Sequence, residues 1–225
     1  MRFKDLKQEL VEGVYDPGIF KAFFLAGGAG SGKSYSAEKA TGSAAGKFQW
    51  HEKMEDNLTP GKVGPYGLKV VNSDEQLEYG LLKAKMSSNM KAYTDDETTK
   101  KELIRAKAKK ITAKREQLWV NGRLGLIIDG TAKDPKKLSI KKKKLEDVGY
   151  DTYMIFVNTS LEKCEERDVK GLYALARNGL IKEFTGISDP YEEPENAEIV
   201  INSSGVSPER LVDEIFEKIK TLGYL

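Results

Sequence analysis

One stretch constrains this chain more than any other: Gly27-Gly28-Ala29-Gly30-Ser31-Gly32-Lys33-Ser34. Glycine, four residues, glycine, lysine and serine is the spacing of a phosphate-binding loop. Its setting agrees. Lys21 to Ala26 (KAFFLA) is a short apolar run and reads as a buried strand, and SYSAEKA after Lys33 reads as a helix. Glycines let the backbone wrap a phosphate with its N–H groups, and the helix N-terminus adds partial positive charge. Lys33 reaches the β- and γ-phosphates in such a loop, and the Ser34 hydroxyl meets Mg²⁺. Gly28, Ala29, Gly30, Ser31, Gly32, Lys33, Ser34 and Tyr35 are therefore the candidate ATP-binding residues.

The rest of the chain must carry such a loop on a parallel sheet, and it does. Gly67 to Val71, Leu124 to Ile128, Thr152 to Val157 and Glu198 to Ile201 read as four further strands. Helices are predicted over Glu75 to Met86, Asp95 to Val120 (capped by Thr94 or Asp95), Pro135 to Val148, from Leu161, and after Ser207-Pro208. Leu77, Leu81 and Leu82 mark the inner face of the first. Leu103, Ile104, Ala108, Ile111, Leu118 and Trp119 mark that of the second. Strands alternating with helices predict an α/β, three-layer domain with a parallel five-stranded sheet and helices on both faces. A polar lead-in over 1–20 and one domain over 21–225 are expected, with a long excursion from Thr41 to Pro65 that holds Trp50 and His51.

Composition removes several classes of function. At 225 residues, with 32% charged and 39% hydrophobic residues and a net charge of +2, nothing drives the chain as a whole toward nucleic acid or membrane. The lysines of Lys141-Lys142-Lys143-Lys144 read as a solvated helix face over Leu138, Ile140 and Leu145, because no aromatic residue interleaves them. No nucleic-acid or membrane partner is expected, and a homodimer is left open. The lone Cys164 suits a reducing cytoplasm and reads as a buried, inert thiol. The single His51 leaves no histidine metal site.

In sheets of this kind ligands sit beyond the C-terminal strand ends. Asp74 follows the second strand and Asp129 the third. Either could hold Mg²⁺ or orient an acceptor hydroxyl; the plain alternatives are an N-cap for Asp74 and a turn for Asp129. Phosphoryl transfer also needs charge neutralisation under a cover. Arg167 to Glu183 is the candidate lid, reaching to about residue 190, with Lys170 and Arg177 on one face if helical and Lys182 beyond. The plain alternative is a surface loop with exposed ion pairs.

Cys164 to Asn202, CEERDVKGLYALARNGLIKEFTGISDPYEEPENAEIVIN, closely resembles the lid and following segment of adenylylsulfate kinases. RD-x-KGLY followed by FTGI-x-x-PYE-x-PEN is a specific pattern. The resemblance implies a P-loop kinase that moves the γ-phosphate of ATP, with Mg²⁺, to the 3′-hydroxyl of adenosine 5′-phosphosulfate. By the same resemblance Arg167, Lys170 and Arg177 belong to the lid. Phe184 stacks on the substrate adenine, with Ile187 and Lys182 near it. The family's Asp-Gly-Asp after the second strand is here Asn72-Ser73-Asp74, with Leu77 in place of an arginine. Its Ser-Pro motif after the third strand is here Asp129-Gly130-Thr131-Ala132-Lys133. The first half is similar instead to zeta-toxin-like P-loop kinases. Two alternatives therefore stay open: a kinase of another hydroxyl (a nucleotide, a polynucleotide 5′ end or a nucleotide sugar), and a nucleotide-binding switch without transfer.

Overall fold

The computed structural model describes residues 18–33, 68–87, 93–168, 171–179, 181, 184–189, 193–194 and 196–223. Ser34, Tyr35, the helix predicted after Lys33, Trp50, His51, Lys170 and Lys182 lie outside these residues. Five strands are present: β1 (Lys21–Ala26), β2 (Lys69–Val71), β3 (Leu126–Asp129), β4 (Asp151–Asn158) and β5 (Ile199–Asn202). All pair in parallel, in the order β2-β3-β1-β4-β5. Between and after them run α1 (Asp74–Lys83), α2 (Asp95–Asn121), α3 (Pro135–Glu146), α4 (Leu161–Glu166), α5 (Leu172–Arg177) and α6 (Pro208–Thr221). This is the α/β architecture that the alternating runs predict. None of the described helices is long and apolar enough to cross a membrane.

The period of two along β1 divides its side chains between two cores. Phe23 and Leu25 join Ile127, Ile155, Ile199 and Ile201 under Leu211, Ile215 and Ile219 of α6. Ala22 and Phe24 face the other way, with Leu126, Ile128 and Leu145, under Trp119 of α2 and Leu138 of α3. Each fully buried aliphatic or aromatic side chain contributes about 1.5–3 kcal/mol. Both faces of β1 are therefore closed, and the phosphate loop leaves its end from a fixed point.

Local signals set the helix ends. Thr94 and Glu97 form a reciprocal capping box, with Glu97 N–H donating to Thr94 Oγ1 at 3.3 Å and Thr94 N–H to Glu97 Oε2 at 2.9 Å. Asp134 caps α3 ahead of Pro135, and Ser207 caps α6 ahead of Pro208.

Some expected core positions face water instead. Leu103 and Leu118 are 69% and 68% exposed, while Ala108 is buried and Ile104, Ile111 and Trp119 are half-buried. At about 100° per residue both leucines fall well off the Ala108–Thr112 side that α2 buries. Leu82 and Ile140 are likewise exposed, whereas Leu77, Leu81 and Leu145 are buried. The α3 lysines form ion pairs rather than a bare basic patch: Lys141 with Glu116, Lys142 with Glu198 and Lys143 with Asp147.

Candidate active site

The phosphate loop leaves β1 at Gly27 and is held from behind. A Cβ on Gly30 (φ +74°) would stand 2.6 Å from the Cys164 carbonyl oxygen, and one on Gly32 (φ +99°) 2.9 Å from Leu211. Only glycine lets the loop lie this close to α4 and α6 with these dihedrals. Ser31 is fully buried. Its carbonyl accepts from Ser203 Oγ at 3.1 Å and from Thr159 Oγ1 at 3.3 Å. Those residues stand just beyond β5 and β4, so the C-terminal ends of two strands anchor the loop. Arg167 donates to the Ser203 carbonyl at 3.0 Å.

Lys33 is 7% exposed. Its Nζ donates to the Gly28 carbonyl at 2.6 Å and to Ser31 Oγ at 3.3 Å, curling over its own loop. Burial pulls its pKa below the usual lysine value; the charge of Asp129 opposes this most, ahead of Cys164 and Asp74. Of the two candidate acids, Asp129 thus acts more strongly on the phosphate lysine.

Asn72 joins the two acids. Its Nδ2 donates to Asp129 Oδ2 at 2.8 Å, and its Oδ1 accepts from the Asp74 N–H at 2.8 Å. The Asn72 carbonyl accepts from Thr112 of α2 at 3.4 Å. Asp74 is not an N-cap. It is the first residue of α1, Ser73 holds the cap position without a side-chain bond, and the Asp74 side chain is exposed. The capping alternative for Asp74 therefore fails.

On the other side of the loop, the described helix of the candidate lid segment is α5, six residues long. Asp168 Oδ2 accepts the Tyr173 N–H at 2.7 Å at its start. Arg177 pairs with Glu165 at the surface, as the ion-pair alternative expects. Phe184 is half-buried and opens a tight turn in which its carbonyl accepts from the Ile187, Ser188 and Asp189 N–H groups, each at 3.1 Å. Its ring meets Tyr173 edge-on, centroids 4.9 Å apart. The Tyr173 hydroxyl in turn donates to the Ala29 carbonyl of the phosphate loop at 2.8 Å. Lys133, after β3, pairs with Asp189 at 2.7 Å. The Phe184 turn is thereby tied to both the phosphate loop and the β3 exit. Cys164 is buried beneath the loop, and burial raises its thiol pKa, as expected of an inert cysteine.

Sequence reasoning missed Tyr173, Asn72, Thr159 and Ser203. Tyr173 lies inside RD-x-KGLY, and Asn72, Thr159 and Ser203 each stand just past a strand end; position alone was the available signal. Among the described residues no group of three or more His, Cys, Asp or Glu could form a metal cage. Mg²⁺ needs none, since one or two carboxylates and substrate phosphates hold it.

Residues 132–202 match the adenylylsulphate kinase family. An adenylyl-sulfate kinase of Picosynechococcus sp. is 43% identical over 103 residues, which is 46% of this chain and 57% of that protein. One of Rippkaea orientalis is 55% identical over 71 residues, 32% of this chain and 39% of that protein. The matched stretch thus spans about half, or less, of these relatives' length. The structure of a Mycobacterium tuberculosis APS kinase in complex with AMPPNP and APS superposes with a TM-score of 0.59 at 24% identity, covering 91% of this chain and 99% of that one. The C-terminal part of the chain is therefore similar in sequence to adenylylsulfate kinases, and the sheet that carries it has the P-loop kinase fold that they share.

Proposed function

We propose that the chain is an ATP-dependent phosphotransferase that moves the γ-phosphate of ATP to the 3′-hydroxyl of adenosine 5′-phosphosulfate. The observation that carries this reading is the Phe184 turn. It lies within the stretch that matches the family, and Tyr173 packs its ring beside the phosphate loop. A purine stacked on Phe184 would bring its ribose toward the same cleft as the ATP phosphates. The fold supports one domain over 21–225 with a lid near 167–190.

The residues divide the chemistry as follows. The backbone N–H groups of Gly28 to Gly32 and the Lys33 ammonium hold the β- and γ-phosphates. Mg²⁺, which neutralises charge on the transferring group, fits an oxygen donor set of Asp129 with Ser34 and the phosphates. Asp74, exposed at the end of β2, orients the acceptor hydroxyl and takes its proton. Arg177 would exchange Glu165 for the moving phosphoryl group as the lid closes, with Lys170 and Lys182 as further cations. Arg167 braces Ser203 behind the loop, and Ile187 flanks the purine.

One observation favours a second reading, a kinase of another hydroxyl. Asn72 is bonded to Asp129 where the family has an acid-rich motif, and Lys133 is already paired with Asp189. An ATP-consumption screen over adenosine 5′-phosphosulfate, nucleosides, nucleotide sugars and 5′-hydroxyl oligonucleotides tests both. Fast turnover with adenosine 5′-phosphosulfate and product phosphorylated at the 3′ position is expected. Turnover only with another acceptor establishes the second reading, and slow hydrolysis whatever is added indicates a nucleotide switch.

A further inference from the structure

The Tyr173 hydroxyl does something that neither the loop motif nor the acid pair requires. Tyr173 is 4% exposed, and its Oη donates to the Ala29 carbonyl at 2.8 Å. A Cβ on Gly28 would lie 3.5 Å from the same oxygen, so the hydroxyl lies alongside the loop at Gly28–Ala29. Burial, with the adjacent Cys164 next in weight, pushes the phenol above its usual range and keeps it a protonated donor.

A trans peptide is planar, so its C=O and N–H point in opposite directions. Holding the Ala29 carbonyl toward Tyr173 turns the Gly30 N–H away from Tyr173. Glycine flanks this peptide on one side, with Gly30 at φ +74°, so rotation of the unit is cheap unless something holds it. A rotated unit would aim a carbonyl where an anion needs a donor. The Ser31–Gly32 peptide, two units on, is held by the same device, because Ser203 and Thr159 donate to the Ser31 carbonyl.

We infer that Tyr173 is a positioning residue that locks the Ala29–Gly30 peptide in its anion-binding orientation. This rests on the reading that the loop holds nucleotide phosphates. Tyr173→Phe tests it, since the ring and its packing on Phe184 are kept and only the hydroxyl is lost. The full-length chain and the variant are titrated with ADP by calorimetry, and amide spectra are recorded with and without ADP. The expected result is affinity about fivefold weaker, the change that one typical net hydrogen bond corresponds to. The ADP-induced shift of the Gly30 amide should collapse while that of Gly32, anchored separately, persists. Unchanged affinity, or weaker affinity with the Gly30 shift intact, would overturn the inference. A wild-type chain that does not bind ADP would overturn the phosphate-loop reading itself, and this inference with it.

Discussion

Asp129→Asn is the most informative single change, because the structure gives its two consequences different readouts. The side chain keeps its shape, and an amide at this position can still pair with Asn72, now at 2.8 Å from the carboxylate. Fold stability should therefore shift by no more than about 1 kcal/mol, the size of one exchanged hydrogen bond. Charge is what is lost. A residue that positions metal or water for phosphoryl transfer contributes on the order of 10²- to 10⁴-fold, so kcat should fall by at least about 10²-fold. The second consequence concerns Lys33. Burial already lowers its pKa, and Asp129 is the first of the groups that raise it. Without that charge the lysine loses its proton at a lower pH, and only the protonated form attracts phosphate. The alkaline limb of kcat/KM for ATP, which reports the free enzyme, should move to lower pH. Initial rates across pH with saturating acceptor give both numbers. A variant with wild-type kcat and an unmoved alkaline limb would refute the placement of Asp129 beside the phosphates.

Lys33→Ala should abolish transfer and raise the ATP Kd in a calorimetric titration while the chain still melts cooperatively, because the ammonium contacts loop oxygens rather than core. Asp74→Asn should cut kcat about 10²-fold or more if Asp74 orients the acceptor, with the alkaline limb for ATP moving less than in Asp129→Asn, since Asp74 ranks behind Asp129 at Lys33; equal kcat would remove Asp74 from the mechanism. Burial raises the Tyr150 phenol from 10.0 to about 12, so the unfolded chain ionises first and stability should fall as pH rises from 10 to 12. Tyr150→Phe should lose less stability than wild type across that window in urea melts; parallel losses would disprove it. Phe184→Ala should raise KM for adenosine 5′-phosphosulfate about 5- to 150-fold with little change in Tm, as expected for a half-buried stacking ring; a large drop in Tm with KM unchanged would make it structural.

Much of this architecture is local, and so it is legible in the sequence. β1, β3 and β4 are continuous apolar runs because helices cover both faces of the sheet. Thr94 with Glu97, and Ser207 before Pro208, mark helix starts within four residues. Leu103 and Leu118 mislead because apolarity alone does not say which side of a long helix meets the sheet, and α2 has more length than the sheet can cover. The site's supports are non-local. Tyr173 reaches Ala29 across 144 residues of sequence, and Asn72 reaches Asp129 across 57. No periodicity encodes contacts of that range; parallel strand order creates them, by bringing successive C-terminal strand ends to one edge.

The same strand order explains how the C-terminal part can resemble one family so closely while the first half does not. Residues 132–202 supply α3, β4, α4, α5, the Phe184 turn and β5, and the last four elements with the residue just past β4 flank the phosphate loop on one side. β2, β3, Asn72, Asp74 and Asp129 form the opposite wall, and β1 with the phosphate loop lies between. The contacts of the first wall run to the loop backbone: Tyr173 to Ala29, and Ser203 and Thr159 to Ser31. Backbone carbonyls are present whatever residues line the far wall. A lid wall of this design can therefore keep its sequence while the acids and cations opposite it change. The first wall holds the phosphate loop through Tyr173, Thr159 and Ser203, and on the proposed reading it also offers the purine site. On the same reading, the acid wall, through Asn72, Asp74 and Asp129, bears on which hydroxyl is accepted, and the Lys133–Asp189 pair ties the Phe184 turn to the exit of β3. On the proposed reading, substitutions of Asn72 and Asp74 should change acceptor choice, Tyr173→Phe should weaken nucleotide binding, and Phe184→Ala should weaken purine affinity.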